Sequence, residues 1–162
     1  MPIRFEPHCY KFRTKLACEI AEIDPQRLNE AIAAKDGYKC APQTRAGVAR
    51  EYDEFDLIAL YLFRFLTGVG YSQSLASMYA CGVRNALNKS FANKLPERFD
   101  FPLSPFPHEE ISCEASDPTI FAVLGEEEAP ASIGFNVNHL RQVIRERMDS
   151  VGKRERNTFG DE

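Results

Sequence analysis

The chain has 162 residues, enough for one domain of ordinary size or a domain with a small appendage. Its residues are 44% hydrophobic and 11% aromatic, which excludes wholesale disorder. The net charge is −4 but uneven: residues 1–100 hold 14 basic and 12 acidic side chains (+2), whereas residues 101–162 hold 6 and 12 (−6). The first part can therefore present a mildly basic face to DNA on an acidic protein.

The cysteines are five and widely spaced, with no C-x-x-C pair: Cys9, Cys18, Cys40, Cys81 and Cys113. This pattern favours reduced thiols in a cytoplasmic protein over a disulfide framework. Polar residues and prolines in the first seven positions argue against a secretory signal. The richest apolar run, 57–66, is too short to cross a bilayer and contains Arg64, so no membrane association is expected.

Two short helices are predicted between Thr14 and Gly37. The first places apolar residues at helical spacing, and the second does the same after a restart at Asp24-Pro25, where Asp24 can cap and Pro25 suits the first turn. The inward residues are Leu16, Ala17, Ile20 and Ile23, then Leu28, Ala31 and Ile32. Two such helices joined by a tight turn are typical of a helix-turn-helix.

The segment from Tyr38 to Tyr52 is basic and rich in turn formers, which predicts a short β-hairpin wing. Residues 53–67 follow as the most hydrophobic helix, predicted to be the central core helix with a possible share in a dimer contact. Gly68 to Gln73 ends that helix, Ser72 can cap the next, and residues 73 to about 92 continue as helix.

These features, in this order, resemble the MerR superfamily of winged helix-turn-helix regulators over residues ~14–85. Residues 17–28 (A-C-E-I-A-E-I-D-P-Q-R-L) are similar to the family's helix-turn-helix hairpin. Arg50-x-Tyr52 with Asp56-Leu57 is similar to its R-x-Y-x-x-x-D-L wing exit, and residues 66–72 to its L-x-x-x-G-(F/Y)-S junction. The resemblance implies a DNA-binding module.

The sequence also departs from that family. Glu22 stands where the family has a turn glycine, and a left-handed backbone there is costly for any other residue. Prolines 96, 102, 105 and 107 interrupt the region where full-length members continue with a long dimerising helix. The resemblance therefore covers DNA binding and not an effector-sensing architecture.

The remainder is predicted to be a small α+β unit. Residues 94–110 form a proline-rich connector, and strands are predicted at Ile111–Glu114, Thr119–Leu124 and Ser132–Val137. Asn138 can cap a last helix with an apolar stripe at 140, 143, 144, 148 and 151. We thus expect a mainly α chain divided into a winged helix-turn-helix domain (1–93), the connector, an α+β dimerisation or interaction region (111–152) and a frayed charged tail (153–162).

Catalytic and metal-binding patterns are weak. The histidines (His8, His108, His139) are scattered, and His8-Cys9 lacks a partner cluster. Neither a G-x-S-x-G motif nor a nucleotide-binding glycine fingerprint occurs, so we expect no enzyme activity, metal or cofactor. Cys81 and Cys113 raise the alternative of metal or redox sensing, but they lack a binding-loop pattern.

The expected partner is double-stranded DNA. Gln26, Arg27 and Asn29 would lie in the major groove, where arginine and amides can read guanine and adenine. The residues expected to hold phosphates are Thr14, Lys15, Lys39, Arg45, Arg50 and Tyr52.

A transcriptional regulator, bacterial or phage-like, is the leading hypothesis. It would act as a homodimer, because a single small DNA-binding domain rarely gives enough affinity. Residues 111–152 are the candidate interface, to which the 53–67 helix could add. Two alternatives remain open at this point: a DNA-packaging or recombination accessory protein, excisionase-like or small-terminase-like, and a protein-interaction module that has lost DNA binding.

Overall fold

A computed structural model describes residues 11–90, 98–102, 120–123 and 132–159, and the side-chain environments of 11–88 and 135–154. This part of the chain is mainly helical, as predicted. Its helices are α1 (Thr14–Ala21), α2 (Pro25–Ala33), α3 (Glu54–Gly68), α4 (Gln73–Ser90) and α5 (Val137–Phe159). Its strands are β1 (Phe12–Arg13), β2 (Glu51–Tyr52), β3 (Arg98–Pro102), β4 (Ile120–Val123) and β5 (Ser132–Asn136).

The predicted helix pair forms α1 and α2. Asp24 caps α2 as expected: its side chain accepts the backbone N–H groups of Gln26 and Arg27, each at 3.0 Å. After α2 the chain turns closely around its end, where the Tyr38 N–H donates to the Ala31 carbonyl at 2.8 Å. Gly37 is required there, since a Cβ atom would lie 1.8 Å from the carbonyl oxygen of Ala31.

Helix α3 is the central core helix that its composition predicts. A capping box starts it, with Asp53 accepting from the Asp56 N–H and Asp56 accepting from the Asp53 N–H. Ten of its fifteen residues are buried, and α4, which Ser72 caps as expected, packs along it. Because α3 is enclosed on nearly every side, it offers little apolar surface to a second copy of the chain.

The hairpin expected at 38–52 does not form. Only Glu51–Tyr52 is a strand, and it pairs antiparallel with β1, in the register Phe12↔Tyr52 and Arg13↔Glu51. Phe12 and Tyr52 are both buried, so this pairing places two aromatic rings in the core. Residues 43–49 are exposed, with a turn at Gly47 (φ +77°), and lack the alternation that a half-buried strand needs.

The C-terminal elements differ from prediction in several places. A three-stranded antiparallel sheet has the order β3-β5-β4, and β3 lies inside the predicted connector. Pro102 is tolerated because it ends an edge strand. The cap of α5 is Asn136, whose side chain accepts the His139 N–H at 3.1 Å, rather than Asn138. Helix α5 reaches Phe159, into the predicted frayed tail, and the predicted strand at Ile111–Glu114 lies outside the described residues.

One hydrophobic core joins the two predicted domains. Leu140, Ile144, Met148 and Val151 of α5 are buried in the same core as the inward residues of α1 and α3. Four of the five residues of the predicted α5 stripe therefore pack within the chain, which leaves little of this stripe for the dimer interface expected in residues 111–152. Across the described residues, every helix is too short or too polar to span a membrane.

Candidate nucleic-acid interface

Helix α2 presents its polar side chains to solvent. Gln26, Arg27 and Asn29 are exposed, while Leu28 and Ala31 on the opposite side of the helix are buried. The Gln26 amide donates to the Glu30 carboxylate at 3.1 Å, which holds that side chain along the outer surface of the helix. Three side chains with the hydrogen-bonding chemistry for base edges thus occupy the open side of the helix.

The turn between α1 and α2 keeps a left-handed residue without a glycine. Glu22 has φ +56° and ψ +40°, and the N–H groups of Glu22 and Ile23 close the end of α1. The Glu22 carboxylate lies 3.0 Å from the Arg147 guanidinium of α5, and Arg147 also donates to the Ile20 carbonyl at 2.9 Å. Arg147 of α5 therefore contacts this turn on the side facing α5 and stabilises it.

The β1–β2 pairing brings together three of the residues expected to contact phosphates. Thr14 and Lys15 follow directly from β1, and Arg50 immediately precedes β2, so the pairing brings these segments side by side. Lys15 is exposed, whereas Thr14 and Arg50 are half-buried. Three of the six residues expected to hold phosphates are thus close together in the fold.

Tyr52 requires a correction. Its side chain is 0% exposed and belongs to the core, so it does not lie on a surface that could meet a phosphate. Burial raises the pKa of its hydroxyl above the ordinary tyrosine value. The Tyr52 ring belongs to the core beside β1. The R-x-Y sequence pattern is the same for a buried tyrosine and for one that contacts DNA, so it could not predict this burial.

Lys39 and Arg45 lie on the irregular loop rather than on a hairpin. The Lys39 ammonium donates to the Ala34 carbonyl at 2.8 Å, at the C-terminal end of α2, and its backbone N–H donates to the Ser77 hydroxyl at 3.0 Å. Arg45 is exposed farther along the loop. Lys39 is thus fixed near α2, whereas no contact among the described residues joins Arg45 to that helix.

Arginines of α5 neutralise acidic residues of the helix pair. Arg154 makes a two-bond contact with Glu19, at 2.6 and 2.8 Å, and this contact lowers the pKa of that carboxyl. Arg147 pairs with Glu22 through one contact of 3.0 Å. Among the residues that the structure describes, Arg13, Arg27, Lys35 and Arg45 make no ion pair within 4.0 Å. In this part of the chain, Arg27 and Arg45 of the candidate interface are thus outside any ion pair, while Glu19 and Glu22 are each paired with an arginine of α5.

A second group of charges lies inside the fold, and the sequence patterns did not reveal it. Glu54 is 2% exposed and accepts from Arg145 at 2.7 Å, and Asp56 is paired with Arg84 of α4. Burial, with the neighbouring Asp53 charge, raises the pKa of Asp56. These pairs join α3 to α5 and to α4 and are part of the scaffold.

Two cysteines expected to be reduced form a disulfide. Cys40, on the loop after α2, is bonded to Cys81 of α4, with their Cα atoms 5.5 Å apart. Cys18 is a free, buried thiol, and its burial raises its pKa to about 11. The Cys40–Cys81 pair is 41 residues apart, a separation with no motif that sequence inspection could find.

Within the described ranges, no group of three or more histidine, cysteine, aspartate or glutamate residues is placed to hold a metal ion. His8, Cys9, His108 and Cys113 lie outside those ranges. No protein-family model matches the chain, and a search of curated proteins finds no significant similarity.

Proposed function

We propose that this chain is a sequence-specific duplex-DNA-binding protein, a MerR-like transcriptional regulator acting in the cytoplasm. The observation that carries the proposal is the capped helix α2, with Gln26, Arg27 and Asn29 exposed beside cations that have no carboxylate partner. A helix of this kind fits the major groove with its first residues toward base edges. Arg27 can bind guanine through two hydrogen bonds, and Gln26 and Asn29 can bind adenine likewise.

The backbone contacts would come from three places. Lys15 and Arg50 lie together at the β1–β2 pair, Lys39 at the end of α2, and Arg45 on the exposed loop, in place of a hairpin wing. Contacts of this kind set the register of a protein on DNA without reading sequence. Tyr52 is not included, because its ring is in the core.

The acidic total charge is compatible with this proposal. Arg147 and Arg154 neutralise Glu22 and Glu19 from the side of α5, so the local field at α2 is more positive than the net charge suggests. Only a few cations remain for phosphates, so nonspecific affinity would be modest and would fall with added salt.

The proposal is tested by fluorescence anisotropy on genomic duplex fragments at low salt. Arg27→Ala is expected to weaken binding to a specific fragment by about 1–3 kcal/mol. Lys153→Ala is the matched control, since it removes one exposed cation of α5 and should leave affinity nearly unchanged. Equal losses for the two variants would contradict a base-reading role for Arg27. Mapping the bound fragments separates regulation from packaging or recombination.

A further inference from the structure

The Cys40–Cys81 disulfide joins the loop after α2 to the middle of α4. Both cysteines are only partly buried, so reagents in solution can reach the bond. Accessible disulfides exchange with thiols far more readily than buried structural ones. The Cys40–Cys81 disulfide is therefore placed where it can react with thiols, unlike a disulfide buried in the core.

The disulfide is the one covalent link between the described loop before β2 and α4, and after it Ala41 packs partly against the core. Tyr38 is buried and bonded to Ala31, and the Lys39 N–H is bonded to Ser77, so the chain is fixed up to Cys40. Beyond it, residues 43–49 are all exposed, and their described backbone hydrogen bond, from Val48 to Arg45, stays within the loop. Opening the disulfide would remove the covalent link that holds Cys40 against α4 and so loosen the attachment of the stretch that follows.

A cavity of about 200 Å³ adjoins the bond on one side. Cys81 lines it together with Lys35, Lys39, Asp36 and Ser77, whereas Cys40 is not among the lining residues. The Ser77 hydroxyl lies 3.6 Å from the Cys81 sulfur. Two ammonium groups against one carboxylate give the cavity a net positive charge, which favours an anionic molecule over a cationic one.

We propose that Cys81 is the site at which a small anionic thiol opens this disulfide. The incoming thiolate attacks the Cys81 sulfur, forms a mixed disulfide there, and displaces the Cys40 sulfur as a thiolate, which takes a proton from solvent. A second molecule of the same thiol then attacks the mixed disulfide, leaving Cys81 as a thiol and the two small thiols joined as their own disulfide. The first step exchanges one S–S bond for another, and the second completes the reduction of the protein by two electrons.

The experiment uses the full chain carrying Cys9→Ser and Cys113→Ser, so that Cys18, Cys40 and Cys81 are the remaining cysteines. Purified without reductant, this protein is treated with reduced glutathione, and its cysteines are mapped by alkylation and peptide mass spectrometry. We expect the mixed disulfide on Cys81, a free Cys40, and an unmodified Cys18, which is buried and serves as an internal control. Absence of the Cys40–Cys81 bond before treatment, or a mixed disulfide mainly on Cys40, would overturn the proposal.

Two further measurements separate a specific site from simple exposure. The cationic thiol cysteamine should react more slowly than glutathione relative to their rates with an unstructured peptide disulfide, and Lys35→Ala should reduce that preference. Equal relative rates would remove the role of the cavity.

Release of the loop is read by trypsin cleavage after Arg45, expected to be about tenfold faster once the bond is open. Cys40→Ser should be cleaved at the fast rate with or without thiol. Cleavage that does not change on opening would contradict the release of the loop. None of these readouts involves DNA, so their outcome is independent of the proposed DNA binding.

Discussion

At the scale of single residues, Glu22 carries an unusual backbone conformation for its type. A left-handed residue with a Cβ atom costs about 1 kcal/mol relative to glycine. The ion pair with Arg147 offsets part of this cost, although Glu22 is 52% exposed and such pairs contribute only ~0–1 kcal/mol. Glu22 at this position therefore lowers stability slightly, and its ion pair with Arg147 of α5 compensates only part of the loss.

Comparing two substitutions separates these effects. Glu22→Ala loses the ion pair and keeps the left-handed conformation, whereas Glu22→Gly loses the ion pair and relieves it. We expect the glycine variant to be more stable than the alanine variant by about 1 kcal/mol in urea denaturation. Equal stabilities would mean that the turn is not left-handed in solution.

Tyr38 is a second residue with a measurable consequence. It is fully buried, and burial raises the pKa of its hydroxyl well above the ordinary value of about 10. In the unfolded chain the same hydroxyl ionises near pH 10. The contribution of the buried, neutral Tyr38 to the free energy of unfolding is therefore fully present below pH ~10 and is lost as the pH rises above it.

We predict that Tyr38→Phe reduces the fall in stability above pH ~10 by up to about 1.4 kcal/mol per pH unit, the effect of one proton. The hydroxyl has no hydrogen-bond partner in the described structure, so stability at neutral pH should change by less than about 1 kcal/mol. Denaturation curves recorded at neutral and alkaline pH provide the check. An unchanged alkaline slope would show that Tyr38 is accessible to solvent.

At the scale of elements, helix α2 depends on its cap. Asp24→Ala removes the acceptor for two backbone N–H groups and should lower stability by about 1 kcal/mol. Asp24→Asn keeps an acceptor oxygen and should remain close to the wild type. Loss of the same stability in both variants would indicate that the charge matters rather than the hydrogen bonds.

Helix α5 is held to α1 by two arginines in different surroundings. Arg147 is 29% exposed, bonds the Ile20 carbonyl and lies 5.0 Å from the centre of the Tyr61 ring, whereas Arg154 is 58% exposed. Arg147→Ala should therefore cost about 1.5–3 kcal/mol, and Arg154→Ala no more than about 1 kcal/mol. Thermal or urea unfolding of the two variants tests the difference, and the reverse ranking would contradict the docking of α5 on the turn.

The elements also show what the sequence could predict. Signals for α1, α2 and α3 are local: apolar spacing, Asp24-Pro25, and the acidic first turn after Asp53. The partner of β2 is not local, because Tyr52 pairs with Phe12 across two helices. The basic, turn-rich segment 38–52 predicts instead a complete hairpin, with both strands inside it. Strand β3 was missed because prolines dominate its surroundings, although an edge strand accepts Pro102 at its end.

At the scale of the whole molecule, the candidate site also depends on contacts between distant segments, which local sequence patterns do not predict. Exposure of Gln26, Arg27 and Asn29 follows from helical spacing and was predictable. The neutralisation of Glu19 and Glu22 comes from α5, more than 120 residues away in the chain. The Cys40–Cys81 bond likewise depends on how α4 packs, which no spacing rule encodes. Long-range packing thus decides which charges of the helix pair remain available.

The central claim is that α2 reads DNA sequence, and selection from a pool of random duplexes tests it most directly. The full chain is incubated with the pool, bound DNA is recovered and sequenced, and the same selection is run with Gln26→Ala/Arg27→Ala. We predict one recurring motif for the wild type, with loss or relaxation of defined positions in the variant. Recovery of no motif by the wild type, or of the same motif by both proteins, would contradict the claim.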